Sequence, residues 1–183
     1  MRLEDFGHYA QLEEFMLANN LDHNQIGRVI AEHKERYIIK TIQGEIEAEV
    51  TGNLRFAAKS REDFPAVGDW VILSAEGSDF ALIHKILPRF SVIKRHAVGK
   101  FSEIQIIASN IDYAFLVQAA DRDFNINRLE RYLTLCYSSK VSPIIVLSKI
   151  DLIDAQTLSE IVTNIETRVS NTQIVTLSNE TKT

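Results

Sequence analysis

The chain of 183 residues has one cysteine, Cys136, so no intrachain disulfide can form and a reducing compartment fits. Cys136 lies in an apolar helical pattern, which suits a buried side chain better than a nucleophile. No apolar run approaches the ~18 residues of a membrane span, and Met1-Arg2-Leu3-Glu4-Asp5 does not read as a signal peptide. A soluble, cytoplasmic protein without membrane contact is expected. Positive charge is not in excess: 20 Lys and Arg stand against 25 Asp and Glu, a net −5, so any anion-binding surface must be local. Glycine is sparse at seven residues, and none belongs to a phosphate-cradling GxxxxGK[ST] loop. The only Gly-Lys pair, Gly99-Lys100, has Lys94 five positions before it and Phe101 after it. No glycine has an aspartate three residues earlier, so DxxG is absent as well.

The remaining residues divide by period. Residues 3–19 show loose helical spacing through Leu3, Phe6, Leu12, Phe15 and Met16, and predict one or two short helices packed on the next stretch of chain. From Gly27 to Leu87 the period is two. Strands are expected near Arg28-Val29-Ile30, Arg36–Lys40, Glu45–Val50, Asp69–Leu73 and Phe80–Ile83, with Gly44, Gly52, Gly68 and Gly77 in the turns. Five short antiparallel strands in so few residues suit a small barrel of the OB type, with an SH3-like barrel as the alternative. Trp70 fits the barrel core better than a base-stacking platform.

Two segments are basic within this acidic chain. Gly52–Arg61 carries Arg55, Lys59 and Arg61 with one aromatic and no acid. Between Ala81 and Ser102 stand Lys85, Arg89, Lys94, Arg95 and Lys100, again without an acid. Cations pair with phosphates and aromatics stack on exposed bases, so these segments suit single-stranded or loop RNA. A solvated connector that happens to be basic is the plain alternative.

Beyond Pro88, with 88–104 read as a linker, the pattern becomes α/β. Ile111–Val117 predicts a strand. A helix over Arg128–Ser139 comes next, capped by Asn125 or Asn127, then a strand at Pro143–Leu147. A helix over Ala155–Val169 and a strand at Gln173–Ser178 complete the run. The apolar run Ile144-Ile145-Val146-Leu147 suits a strand of a parallel sheet, and ligands of such sheets sit beyond the strands' carboxyl ends. There stand Ser148, Lys149, Ile150 and Asp151. A carboxylate can accept two hydrogen bonds side by side, matching N1–H and N2–H of guanine, and a lysine stem can lie along a base. The tetrad resembles the guanine-reading Asn/Thr-Lys-x-Asp motif of GTP-binding proteins, although surface Lys and Asp at a strand end are commonly just solvated. Ser178, past the third strand, stands where a small-residue loop touches the base from a second side; a plain strand-ending serine is the alternative.

Asp63-Phe64-Pro65-Ala66-Val67-Gly68-Asp69-Trp70-Val71 is similar to a segment of the ribosome-small-subunit-dependent, circularly permuted GTPases of the RsgA family. So are Leu87-Pro88-Arg89-Phe90-Ser91 with Arg95 beyond it, and Gln105–Asp112. Phe124–Leu133 and Pro143–Leu152 complete the likeness, which runs from about Gly27 to Leu177. The resemblance implies an α+β, two-domain fold: a five-stranded OB-type barrel, then the first β-α-β-α-β half of a P-loop GTPase domain permuted so that guanine specificity precedes the phosphate loop. It implies a helical segment at 1–22, an RNA-binding barrel at 23–87, a basic linker at 88–104 and a partial GTPase domain at 105–183. Residue 183 is then expected to fall just before the phosphate-loop strand, with a zinc domain further on.

By the same resemblance the function is late maturation of the 30S subunit, with 16S rRNA and GTP or GDP as partners. GTP hydrolysis, Mg2+ and structural Zn2+ are expected only with the missing part, so residues 1–183 carry no catalytic or metal residue and are expected to be inactive alone. Guanine falls to Ser148, Lys149, Ile150, Asp151 and Ser178, and RNA to Arg55, Lys59, Arg61, Lys85, Arg89, Lys94, Arg95 and Lys100. Ser148 departs from the usual Asn, implying weaker affinity with specificity retained through Asp151. The full-length protein is expected to be a monomer, and the fragment to self-associate through the bare edge of its first α/β strand. The competing reading is a non-enzymatic OB-fold RNA-binding module with a nucleotide-free α/β half-domain.

Overall fold

A computed structural model describes residues 3–7, 10–34, 36–77, 79–96, 104–169 and 171–181. The chain forms two units, Met1–Asn110 and Ile111–Thr183.

In the first unit, helix α1 (Ala10–Ala18) precedes strands β1 (Ile26–His33), β2 (Arg36–Thr41) and β3 (Gly44–Val50). Short helix α2 (Gly52–Ala57) leads to β4 (Trp70–Ala75) and β5 (Phe80–Ile86). These strands close into a barrel in the order β1-β2-β3-β5-β4, with β4 returning to β1. Alternation turns Val29, Tyr37, Ile39, Ala48, Val50, Val71, Leu73 and Ile83 inward as one buried cluster. Leu12 and Met16 of α1 join Ile26, Trp70 and Leu87 in a second cluster. Trp70 is wholly buried, as its place in the pattern suggests. One pairing departs from the antiparallel expectation: β3 and β5 run parallel, from Glu47 opposite Phe80 to Val50 opposite Ile83. The cause is the connection at 51–69. It is too long for a hairpin, carries α2, and delivers β4 to β1 so that β5 fills the gap beside β3.

The expected linker is also different. Residues 92–96 form strand β6 (Val92–His96), which pairs antiparallel with β7 (Ile104–Ser109). This hairpin belongs to the first unit, so the division falls at Asn110 and not at 104. The anchor is buried. Asp69, with no exposed surface, accepts hydrogen bonds from the Ala66 N–H (2.8 Å), the Ser109 hydroxyl and the Arg89 guanidinium (Nε 2.8 Å, Nη2 2.6 Å). Gly68, at φ +96°, lies so close to the Ser109 carbonyl that a Cβ would collide with it.

In the second unit β8 (Tyr113–Ala119), α3 (Ile126–Ser138), β9 (Ser142–Ser148), α4 (Ala155–Arg168) and β10 (Gln173–Thr176) alternate. The sheet has the order β10-β9-β8 and is parallel throughout. Its first strand starts two residues later than the pattern suggested. Asn125 caps α3 by accepting the Arg128 N–H (3.0 Å), and Asp154 caps α4 by accepting that of Thr157 (2.7 Å). Leu129 and Leu133 of α3 and Ile165 of α4 close on Ile145 and Leu147, burying one face of the sheet. Cys136 is buried, and burial pushes its thiol above the ordinary value. On β8, Tyr113, Phe115 and Val117 alternate with the more buried positions and remain about two-thirds exposed, at 65%, 67% and 62%.

Candidate guanine pocket and basic surface

The carboxyl ends of β9 and β10 deliver two loops to one place. At the end of β9 the Ser148 carbonyl accepts the Ala120 N–H (2.8 Å), and its hydroxyl donates to the Gln118 carbonyl (3.3 Å). The shorter serine thus ties β9 to β8 by its own side chain. Lys149 then takes a left-handed conformation, φ 57° and ψ 38°, uncommon for a residue with a side chain and frequent where a chain turns sharply at a site. Its ammonium stands 3.9 Å from the Asp121 carboxylate. Ile150 turns inward onto the core, and its N–H donates to the Leu177 carbonyl (3.5 Å). Ile150 therefore holds the loop rather than lining the pocket.

Asp151 and Ser178, 27 residues apart, meet: the Ser178 hydroxyl donates to Asp151 Oδ1 at 2.5 Å. The hydroxyl oxygen in turn accepts the N–H groups of Glu180 and Thr181, both at 3.2 Å. A hydroxyl has one donor and two acceptor sites, so every capacity of this buried serine is in use and the carboxylate beside it is fixed in direction. Ser148, Lys149, Asp151, Leu177, Asn179 and Glu180 line a cavity of about 380 Å³, within the range of small-molecule sites. Asp151 and Ser178 are thus brought together from two separate loops. Asn179 and Glu180 are additions that no pattern in the sequence singles out. Gln118 is another. Buried near the end of β8, its amide pairs both ways with the Asn125 backbone (3.1 and 3.3 Å) and braces the strand to which Ser148 is tied. A polar residue ending the apolar run of β8 is its only trace in the sequence. Asp154, three residues past Asp151, serves α4: the Thr157 backbone N–H holds its carboxyl below the ordinary value.

The eight expected RNA-binding cations separate into kinds. Arg55 and Lys59 are exposed on and just after α2. Arg61 pairs with Glu32 and Lys94 with Glu62 at the surface, and such exposed pairs are weak enough to exchange for phosphate. Arg95 donates from Nε and Nη2 to Gln105 Oε1 (3.1 and 3.0 Å), and Lys85 stands 5.5 Å from the Phe15 ring centre. Arg89 is different. Besides Asp69 it donates to the Glu62 and Phe64 carbonyls (2.9 and 3.0 Å), so it braces the 60–69 segment and cannot offer its fork to RNA without dismantling it. Lys100 lies outside the described residues.

A family model described as RsgA GTPase matches residues 86–183. The chain is 46% identical over 154 residues to the small ribosomal subunit biogenesis GTPase RsgA 1 of Oceanobacillus iheyensis, covering 83% of this chain and 43% of that protein. It is 47% identical over 127 residues to RsgA 2 of Lactiplantibacillus plantarum, covering 69% and 36%. The chain thus spans about two-fifths of the length of the curated relatives it matches. In fold it is similar to the crystal structure of YjeQ from Thermotoga maritima (TM-score 0.67, 19% identity, 86% of this chain and 52% of that one). It is similar also to that of YloQ, a circularly permuted GTPase (TM-score 0.63, 26% identity, 85% and 52%).

Proposed function

This chain belongs to the RsgA GTPase family, and from that premise we propose that it is the guanine-reading and RNA-binding part of a small-subunit biogenesis GTPase. Asp151 accepts the two edge N–H groups of guanine, the Lys149 stem lies along the base, and Ser178 holds the carboxylate in place. Ser148 fixes the loop to β8 without reaching the base. The observation that carries this reading is the Ser178–Asp151 hydrogen bond, which joins the two loops and fixes a carboxylate that lines the cavity.

Hydrolysis requires phosphate and metal contacts that GxxxxGK[ST] and DxxG supply, and neither motif occurs in residues 1–183. These residues alone therefore bind GTP weakly and do not turn it over; Mg2+ and Zn2+ belong with a further part of the full-length protein. The barrel and the β6–β7 hairpin meet 16S rRNA of the 30S subunit through Arg55, Lys59, Arg61, Lys85, Lys94 and Arg95, in the cytoplasm. The outer edge of β8 pairs with no strand among the described residues, and through it residues 1–183 self-associate.

The test is base selectivity in the full-length protein. Asp151→Asn replaces two acceptors by one acceptor and one donor, so GTP affinity should fall at least roughly tenfold while xanthosine triphosphate gains. Unchanged selectivity, measured by competition with a fluorescent guanine nucleotide, removes Asp151 from the role.

A further inference from the structure

Helix α2 is short but firmly held. The Thr51 N–H donates to the Ile83 carbonyl of β5 (3.0 Å), and the Thr51 hydroxyl caps the helix by accepting the Leu54 N–H (3.3 Å). Leu54 packs against the barrel core. With Leu54 turned inward, the spacing of a helix puts Gly52, Arg55 and Phe56 on the outer side. All three are exposed, and Phe56 is 95% exposed. A whole aromatic ring in water on an anchored helix contributes nothing to the fold.

Its neighbourhood names the ligand. A protein-docking aromatic usually sits in a patch of other apolar groups, whereas no other large apolar side chain of α2 or of residues 58–63 is exposed. Along the chain Phe56 is flanked instead by charge of one sign. Arg55 precedes it and Lys59 stands three residues later, while residues 51–61 contain no acid. The next two acids are engaged. Glu62 pairs with Lys94, and the Asp63 carboxylate accepts the N–H groups of Lys59 and Ser60 (2.9 Å each), tethering the segment that presents Lys59. A bare ring flanked by cations is what a stacked nucleobase and its two phosphates require.

We infer that Phe56 is a stacking platform for an unpaired base of single-stranded RNA, with Arg55 and Lys59 on the adjoining phosphates. This rests on the RNA-binding reading of the barrel and adds a base-contacting residue to it. The test measures binding of residues 1–183 to a short oligouridylate and to an abasic strand of the same length. Phe56→Ala should weaken oligouridylate binding roughly 5- to 150-fold, the range of one lost stack, and leave abasic binding unchanged. Phe56→Trp should retain affinity and show quenched emission on binding, read against the buried Trp70. Should Phe56→Ala bind like the parent while Arg55→Glu/Lys59→Glu weakens binding, the platform is overturned and the RNA-binding reading stands. Should no variant nor the parent bind, both fall. Should Phe56→Ala lose the 30S subunit but keep oligouridylate, the ring makes a contact other than a stack on an unpaired base, and the inference is overturned.

Discussion

The barrel and the three-stranded sheet are built from similar strands yet end in opposite conditions. Each of the five barrel strands has a neighbour on both sides, and its apolar face points into a closed interior. The sheet of the second unit has two edges, β8 and β10, and among the described residues helices cover one face only. Its other face keeps Tyr113, Phe115 and Val117 in water. Closure satisfies a barrel from within its own strands, whereas a parallel sheet is satisfied only when both faces are covered. The barrel thus pairs every strand edge within itself and the sheet does not. Substitutions in each of the two units put that contrast at risk.

The largest effect is expected where the barrel unit is pinned. Asp69→Ala leaves the Arg89 guanidinium without its buried partner and should destabilise the first unit by about 3–5 kcal/mol. That is a large part of the ~5–15 kcal/mol that holds an ordinary domain. Urea unfolding monitored through Trp70 emission reads it, and a loss below about 1 kcal/mol would show that closure alone holds the unit. Asp69→Ala/Arg89→Met, which removes both charges, should cost less than Asp69→Ala by itself.

The middle effect concerns the sheet. At high concentration residues 1–183 should scatter light as more than a monomer, and Phe115→Lys should move them toward monomer by roughly tenfold in the association constant. Because position 115 is exposed, stability should change by no more than about 0.5 kcal/mol. A parent chain that stays monomeric, or a Phe115→Lys variant that associates as before, breaks the contrast.

The contrast was only half legible before the fold. Period-two alternation from Gly27 to Leu87 and the βαβαβ rhythm after Ile111 carried both architectures, because burial on one face writes itself into neighbouring residues. Features that depend on distant partners left no such trace. Arg89 reads as a linker cation because Asp69 lies 20 residues away. Strand β6 reads as a basic connector, since Lys94 and Arg95 interrupt its apolar positions and its partner β7 begins only at Ile104. Helix α2 is concealed by Gly52 and Asn53 at its start, two poor helix formers that Thr51 offsets as a cap. At the pocket, Lys149, Asp151 and Ser178 were marked by type and position. Asn179, Glu180 and Gln118 were not, because their part is set by where two loops happen to converge.

The smallest effect separates a reader of the base from its support. Ser178→Ala removes the hydroxyl that fixes Asp151 Oδ1 and frees two backbone N–H groups, but it leaves the carboxylate itself. If Asp151 reads guanine and Ser178 only aims it, GTP affinity of the full-length protein should fall by about 1 kcal/mol, roughly fivefold. Preference for guanine over xanthine should stay where it was. A selectivity change as large as that of Asp151→Asn would make Ser178 a reader in its own right. No change in affinity would mean that the carboxylate finds its direction without help, and that the join between the two loops serves the fold of the sheet rather than the nucleotide.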